Sequence, residues 1–377
     1  MGNGNSSASV PSKTRRIVLV EANKEMDKAK VEIETIDTPK PKSGEVLIRV
    51  SSAAVNPSDY GAFIRPSESA AGKAIALGKE GSGVVVANGG GMMGSSLVGK
   101  KVGFIGLKNN QGSWSEFVTC SAQTVFALPD TLPVEDAASF FVNPYTAVGI
   151  LDTMRTAGSN GLVHTAAASS LGKMMVKLCA KQKVPLVNVV RRQEQADMLK
   201  KLGAQYVVVT NKDETEWKSE LKDLIEKLKI RVAFDAVAGS MSGDLLDLLP
   251  KSGTVFVYGG LSRQPIGNIN PMDMIYRKKQ IKGWLLTYWL KAGGFLSMLN
   301  RLRWASPLVN SGLHQGWSAT KFEDVAMEKM WPTFLDMYNK SGFTDRKLRI
   351  RFDEGEKSRT DTSPAVDETK ATATTEA

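Results

Sequence analysis

Short apolar runs, cut by glycine, proline and asparagine, fill the first third of the chain. Ile17–Val20 and the segments 44–55 (GEVLIRVSSAAV), 81–87 (GSGVVVA), 100–106 (KKVGFIG) and 115–121 (SEFVTCS) have the length and β-branched content of strands. They predict a compact β-barrel-like module over residues 16–140. Near Val134 the pattern changes, and EDAASFFVNPYTAVGILDTMR carries helical periodicity. Apolar strands then alternate with amphipathic helices. GLVHTAA, PLVNVVRR, QYVVVT, VAFDAV and GTVFVYGG read as strands, with helices such as SLGKMMVKLCAKQ and ETEWKSELKDLIEKLK between them. Alternation at this spacing predicts an α/β fold with a doubly wound parallel sheet over residues 141–290.

Beyond that sheet, IKGWLLTYWL reads as a strand ending in bulky aromatics. Helices are expected around Phe295–Trp304 and Lys321–Tyr338, and residues 291–353, with KLRIRF as their last strand, are expected to return to the first module. Residues 1–15 read as a flexible leader, and residues 354–377, almost without bulky apolar side chains, as a disordered tail.

Composition narrows the function. A chain of 377 residues with a net charge of +10 suits anionic ligands such as nucleotides, but its cations are scattered and no nucleic-acid motif accompanies them. Nucleic acid is therefore not an expected partner. Cys120 and Cys179 are the only cysteines and His164 and His314 the only histidines, too few for a zinc cluster and unlike a secreted disulfide framework. No run of 18 apolar residues occurs, so a membrane span is not expected, and the lone cysteines with no signal-peptide apolar region before them predict an intracellular, cytoplasmic chain. Met1, Gly2 and Ser6 fit the M-G-x-x-x-[ST] acylation pattern, which would give weak membrane association. The alternatives are a bland leader or a short mitochondrial presequence.

The strongest chemical signal is GLVHTAAASSLG. A strand runs into small residues, with Gly172 opening a helix, so backbone amides and a helix N-terminus can meet a pyrophosphate. The next strand ends in Arg191 and Arg192, where a fold specific for NADH places an acid. Two guanidiniums there suit a ribose 2'-phosphate, which favours NADPH; the alternative is that they simply begin a solvated helix. Tyr258, Gly259 and Gly260 end another strand at a place suited to the nicotinamide side.

Over roughly residues 15–352 the chain resembles the medium-chain dehydrogenase/reductases, through AAVNPSDYGAF, GKEGSGVVV, GKKVGFIG, GSWSEFV, VNPYTA and the nucleotide domain in that order. Through VNPYTA, TAAASSLG, NVVRR, YGGLSRQP and GWLLTYW it is most similar to the zinc-free quinone-reductase-like enzymes and the 2-enoyl thioester reductases. The resemblance implies a GroES-like module beside a Rossmann domain, and a homodimer. It places Asn143 and Thr146 near the nicotinamide, Ser169, Ser170, Leu171 and Gly172 at the pyrophosphate, and Arg191 with Arg192 at the 2'-phosphate. It also implies that Tyr258, Gly259, Gly260, Leu261, Trp284, Leu285, Leu286, Thr287 and Lys347 line the cofactor. Zinc-dependent relatives carry a cysteine where this chain has Asn56 and Pro57, and a His-Glu pair where it has Lys79 and Glu80, so no metal is expected. The thioester reductases carry a proton-donating tyrosine where this chain has Ser67.

The expected activity is zinc-independent transfer of hydride from NADPH to a small-molecule electron acceptor, a quinone or an α,β-unsaturated carbonyl. Reduction of a 2-enoyl thioester and a non-catalytic NADPH sensor are the alternatives. Such chemistry needs hydrogen-bond donors where enolate charge develops, and Tyr60 and the amide of Asn56 are the candidates.

Overall fold

The computed structural model describes residues 10–63, 74–313, 316–340 and 347–352. A six-stranded parallel sheet has the spatial order Tyr206–Val209, Leu186–Val190, Leu162–His164, Val232–Asp235, Thr254–Val257, Gln280–Gly283. The chain starts in the middle, builds outward to Tyr206–Val209, then returns to build the other half. The order therefore reverses between Leu162–His164 and Val232–Asp235, the switch point at which a doubly wound sheet opens a crevice. Alternation along the strands feeds both faces. Leu162, Leu186 and Phe234 pack with Val148, Leu151 and Met175 on one side, while Val163, Val187 and Ala233 pack with Trp217, Leu221 and Leu245 on the other.

The first module is built on a seven-stranded sheet whose long member, Glu45–Ala54, pairs with Glu80–Asn88, with Phe117–Ser121 and with the C-terminal strand Lys347–Arg351. The return of KLRIRF to the first module is thus observed: Ile350 lies opposite Ala53. A three-stranded sheet, Lys30–Asp37, Lys13–Glu21 and Ile75–Ala76, covers one side, where Ile17, Leu19, Trp114 and Phe334 share a core.

Four expectations are corrected. Lys13–Arg15 are not leader but the start of a strand, with Lys13 opposite Asp37 and Arg15 bonded to Glu116. The strand in IKGWLLTYWL stops at Gly283, and Leu286–Lys291 is a helix that turns Trp289 and Leu290 into the core. Lys321–Tyr338 is not one helix: Phe322–Ala326 pairs in parallel with Lys347–Arg351, and Met327–Asn339 is the helix. The helix Gly294–Leu313 does not return to the first module. Its Ala305, Val309 and Leu313 join the core of the nucleotide sheet, and the return begins at Phe322. Gly2, Ser67 and residues 354–377 lie outside the described residues.

Candidate functional site

A cavity of about 450 Å³ lies where the carboxyl ends of the parallel strands meet the first module. The loop after Glu45–Ala54 contributes Val55, Asn56, Pro57 and Ser58, and the residue before Glu80–Asn88 contributes Lys79. Asn143 and Thr146 enter from the first turn of the helix Val142–Thr156. Ser169, Ser170 and Leu171 enter from the turn after Leu162–His164. Tyr258, Gly259, Leu261, Trp284, Leu285, Leu286, Thr287 and Lys347 complete the residues that the sequence places here and the fold brings together.

The small-residue turn has the shape of an anion cradle. Ala166 takes a left-handed φ of 49°, Ser169 caps the helix Ser170–Gln182 by accepting from the Gly172 amide at 3.1 Å, and this N-terminus opens on the cavity. Gly172 itself lies behind the lining: a Cβ there would sit 2.1 Å from the Ala167 carbonyl, so glycine is what lets helix and turn touch. Such a cradle at the switch point fits the pyrophosphate of a dinucleotide.

Besides Gly172, three predicted positions among the described residues stand apart from the cavity lining. Gly260 faces open space. Arg191 is exposed at the end of Leu186–Val190, and Arg192 begins the helix Gln193–Lys201; both backbone amides donate to Gln195 Oε1 at 3.2 Å. Neither arginine lines the cavity, though both follow the strand beside the cradle. Tyr60 opens the short helix Tyr60–Phe63, and its side chain lies outside the described residues.

Asn56 lines the cavity, but its side chain serves the protein rather than a ligand. Its Oδ1 accepts from Lys347 Nζ, and its Nδ2 donates to Glu80 Oε1 at 3.0 Å. Glu80 Oε2 in turn accepts the backbone amides of Phe141, at 3.0 Å, and Val142, at 2.9 Å, at the N-terminus of the helix that carries Asn143. Asn56, Glu80 and Lys347 are all buried. Burial pushes the Lys347 ammonium down, and the Glu80 and Asp59 carboxyls oppose that shift. Burial also raises Asp59 to about 6, against the pull of Lys79 and the Asn56 amide.

Lys79, Phe334 and Met337 are lining residues that sequence reasoning did not place in the cavity. Lys79 is exposed and donates to the Ser58 carbonyl, so the cavity meets water at an ammonium group. Tyr258, in the lining, has its Oη 2.7 Å from Nε2 of the buried His164. Burial lowers His164 to about 4 and raises the Tyr258 phenol. His164 therefore holds its neighbour as a neutral imidazole.

Residues 42–130 match the family model for alcohol dehydrogenase GroES-like domains, and residues 170–301 match that for zinc-binding dehydrogenases. The mitochondrial enoyl-[acyl-carrier-protein] reductase of Bos taurus is 30% identical over 302 residues, 76% of each chain. The chain belongs to the medium-chain dehydrogenase/reductase superfamily. It falls in the quinone-reductase-like branch of these oxidoreductases. A solved structure from Mesorhizobium loti, assigned as an NADPH:quinone reductase, superposes with a TM-score of 0.78 at 28% identity, covering 91% of this chain and all of that one. The Escherichia coli quinone oxidoreductase complexed with NADPH shares the fold, with a TM-score of 0.72 at 17% identity over 90% of this chain and all of that one. Zinc, which one medium-chain dehydrogenase family name invokes, does not fit this site. Asn56, Lys79 and Glu80 offer neither thiol nor imidazole, and Asn56 and Glu80 are already bonded to protein.

Proposed function

We propose that the chain uses NADPH to reduce a quinone or an α,β-unsaturated carbonyl compound. The observation that carries this reading is the cavity itself: its lining joins the dinucleotide cradle to apolar side chains such as Phe334, Met337 and Leu348, and includes the exposed Lys79. The bound dihydronicotinamide supplies the hydride. Asn143, Thr146 and Trp284 line the cavity and would hold that ring. Trp284 is fixed by its Nε1 donating to Thr153 at 2.9 Å, and Thr146 by its hydroxyl donating to the Val142 carbonyl at 2.6 Å. Phe334, Met337 and Leu348 exclude water from the acceptor's hydrocarbon part. As negative charge grows on the acceptor oxygen, the Lys79 ammonium is the cavity's solvent-reaching cation, and it can pass a proton inward and recover it from water.

Arg191 and Arg192 support NADPH over NADH, because no carboxylate ends that strand to bind a free 2'-hydroxyl. A second reading, reduction of 2-enoyl thioesters, is supported by the names of the curated relatives at about 30% identity, such as those from Bos taurus and Homo sapiens. Fluorescence titration with NADPH and NADH, followed by turnover with quinones, enones and crotonyl thioesters, tests both readings. Oxidation of NADPH by quinones or simple enones alone supports the first, oxidation by thioesters alone the second. Failure to bind either nucleotide removes both.

A further inference from the structure

Residues 274–322 contain no Asp or Glu and eight Lys or Arg. The acid-free stretch includes the helices Leu286–Lys291 and Gly294–Leu313. In the longer helix Ala305, Val309, Gly312 and Leu313 are buried, while Phe295, Leu299 and Arg303 recur at four-residue steps on the solvent side, with Leu296 beside them. Leu296 is 75% exposed and Phe295 65%, and on the preceding helix Tyr288 is 73% exposed with Lys291 close by. A solvated helix face ordinarily carries polar side chains here. This one presents four large apolar groups beside Lys291 and Arg303, from a stretch that supplies no acid of its own.

Packing holds the face outward. Trp289 meets Trp304 edge to face with ring centroids 6.5 Å apart, the Arg301 guanidinium donates to the carbonyls of Leu290 and Ala292, and Ser306 bonds Tyr145 at 2.7 Å. Rotating the helix to bury Phe295 and Leu296 would break all three.

We propose that this face docks on an anionic lipid bilayer, with Tyr288, Phe295, Leu296 and Leu299 entering the headgroup boundary and Lys291 and Arg303 meeting lipid phosphates. Charge favours that occupant over a second copy, since pairing the face with itself would set the cations of one stretch against those of the other, and neither stretch supplies an acid to offset them. Leu285, Leu286 and Thr287 line the cavity immediately before Tyr288, so the docked face adjoins the reducing site. An acceptor of long hydrocarbon character would then come from the membrane. That last step rests on the reductase reading; the docking does not.

The test uses the full, non-acylated chain carrying Gly2→Ala, sedimented with vesicles of phosphatidylcholine alone or with phosphatidylserine added. Binding is expected to the anionic vesicles and to fall with added salt. Phe295→Ser with Leu296→Ser, and separately Lys291→Glu with Arg303→Glu, should each lower the bound-to-free ratio roughly fivefold or more. Met92→Ser with Met93→Ser, exposed elsewhere on the surface, should leave it unchanged. Turnover of a water-soluble acceptor, read in parallel, separates loss of docking from loss of the reductase. Equal sedimentation with both vesicle types, or variants that bind as the parent does, would overturn the proposal. So would variants that convert an oligomer to a monomer without changing vesicle binding, because the face would then belong to a second copy.

Discussion

Lys347 donates a hydrogen bond to the side chain of Asn56, a residue 291 positions earlier in the chain. The bond closes a buried run from the C-terminal strand through Asn56 and Glu80 to the first turn of the helix that presents Asn143 and Thr146 to the cavity. The two modules are thereby fastened beside the place where a cofactor would lie. Two members of this run, Asn56 and Glu80, stand where zinc-dependent relatives carry metal ligands; here both are bonded within the protein.

Lys347→Met should leave the Asn56 carbonyl and the Glu80 carboxyl buried without their cation, and destabilise the protein by about 3 kcal/mol in urea unfolding. Glu80→Gln alone should also destabilise. Because the two act through Asn56, the double variant should lose about 1–2 kcal/mol less than the sum of the singles. Strict additivity would show that the three side chains are neighbours without being coupled.

Lys79→Met should lower kcat with a quinone or enone on the order of a hundredfold, as loss of a preorganised charge does, while the NADPH dissociation constant stays put. Lys79→Arg should restore part of that loss. A pure KM effect would make Lys79 a binding residue with no part in the charge that develops.

Replacing Arg191 and Arg192 together with alanine should weaken NADPH by a few kcal/mol, on the order of one charge-assisted hydrogen bond per guanidinium, and leave NADH nearly unchanged. Isothermal titration with both nucleotides reads the difference. An equal loss for the two cofactors would mean that the arginines only begin their helix.

Local patterns made much of this molecule legible. Strand and helix periods, the small-residue turn and the glycines after Val257 are short-range features, and the cavity forms where they converge. The misreadings have physical causes. LLTYWL has the aromatic content of a strand, yet Trp289 and Leu290 are buried together only when Leu286–Lys291 coils. The leader boundary missed Lys13–Arg15 because their polar side chains carry no apolar strand signal, although in the fold Lys13 pairs with Asp37 and Arg15 with Glu116. Lys79 was visible as a replaced metal ligand but not as a cavity wall. Phe334 and Met337 carried no signal, since an apolar helix face looks the same over a core as over a pocket. The Lys347–Asn56–Glu80 run joins three distant segments, and only the fold brings them together.

His164 gives a prediction that depends on pH. It is fully buried beside Tyr258, and burial alone lowers it from an ordinary 6.5 to about 4. Its folded pKa lies below its unfolded one, so its stabilising contribution is present above about pH 6.5 and is lost as the solution is acidified toward pH 4. Asp59 runs the other way. Raised to about 6, it favours the folded state below about pH 4 and loses that contribution as pH rises through 6. The two partly cancel in the parent protein, so the parent's own pH profile would hide both. The difference between the parent and His164→Gln isolates the histidine, because Asp59 is common to the two. That difference in unfolding free energy should shrink by about 3 kcal/mol between pH 7 and pH 4, the equivalent of the shift at His164. Urea denaturation at the two pH values measures it, and a difference independent of pH would mean that the imidazole titrates in the folded protein as it does in the unfolded chain.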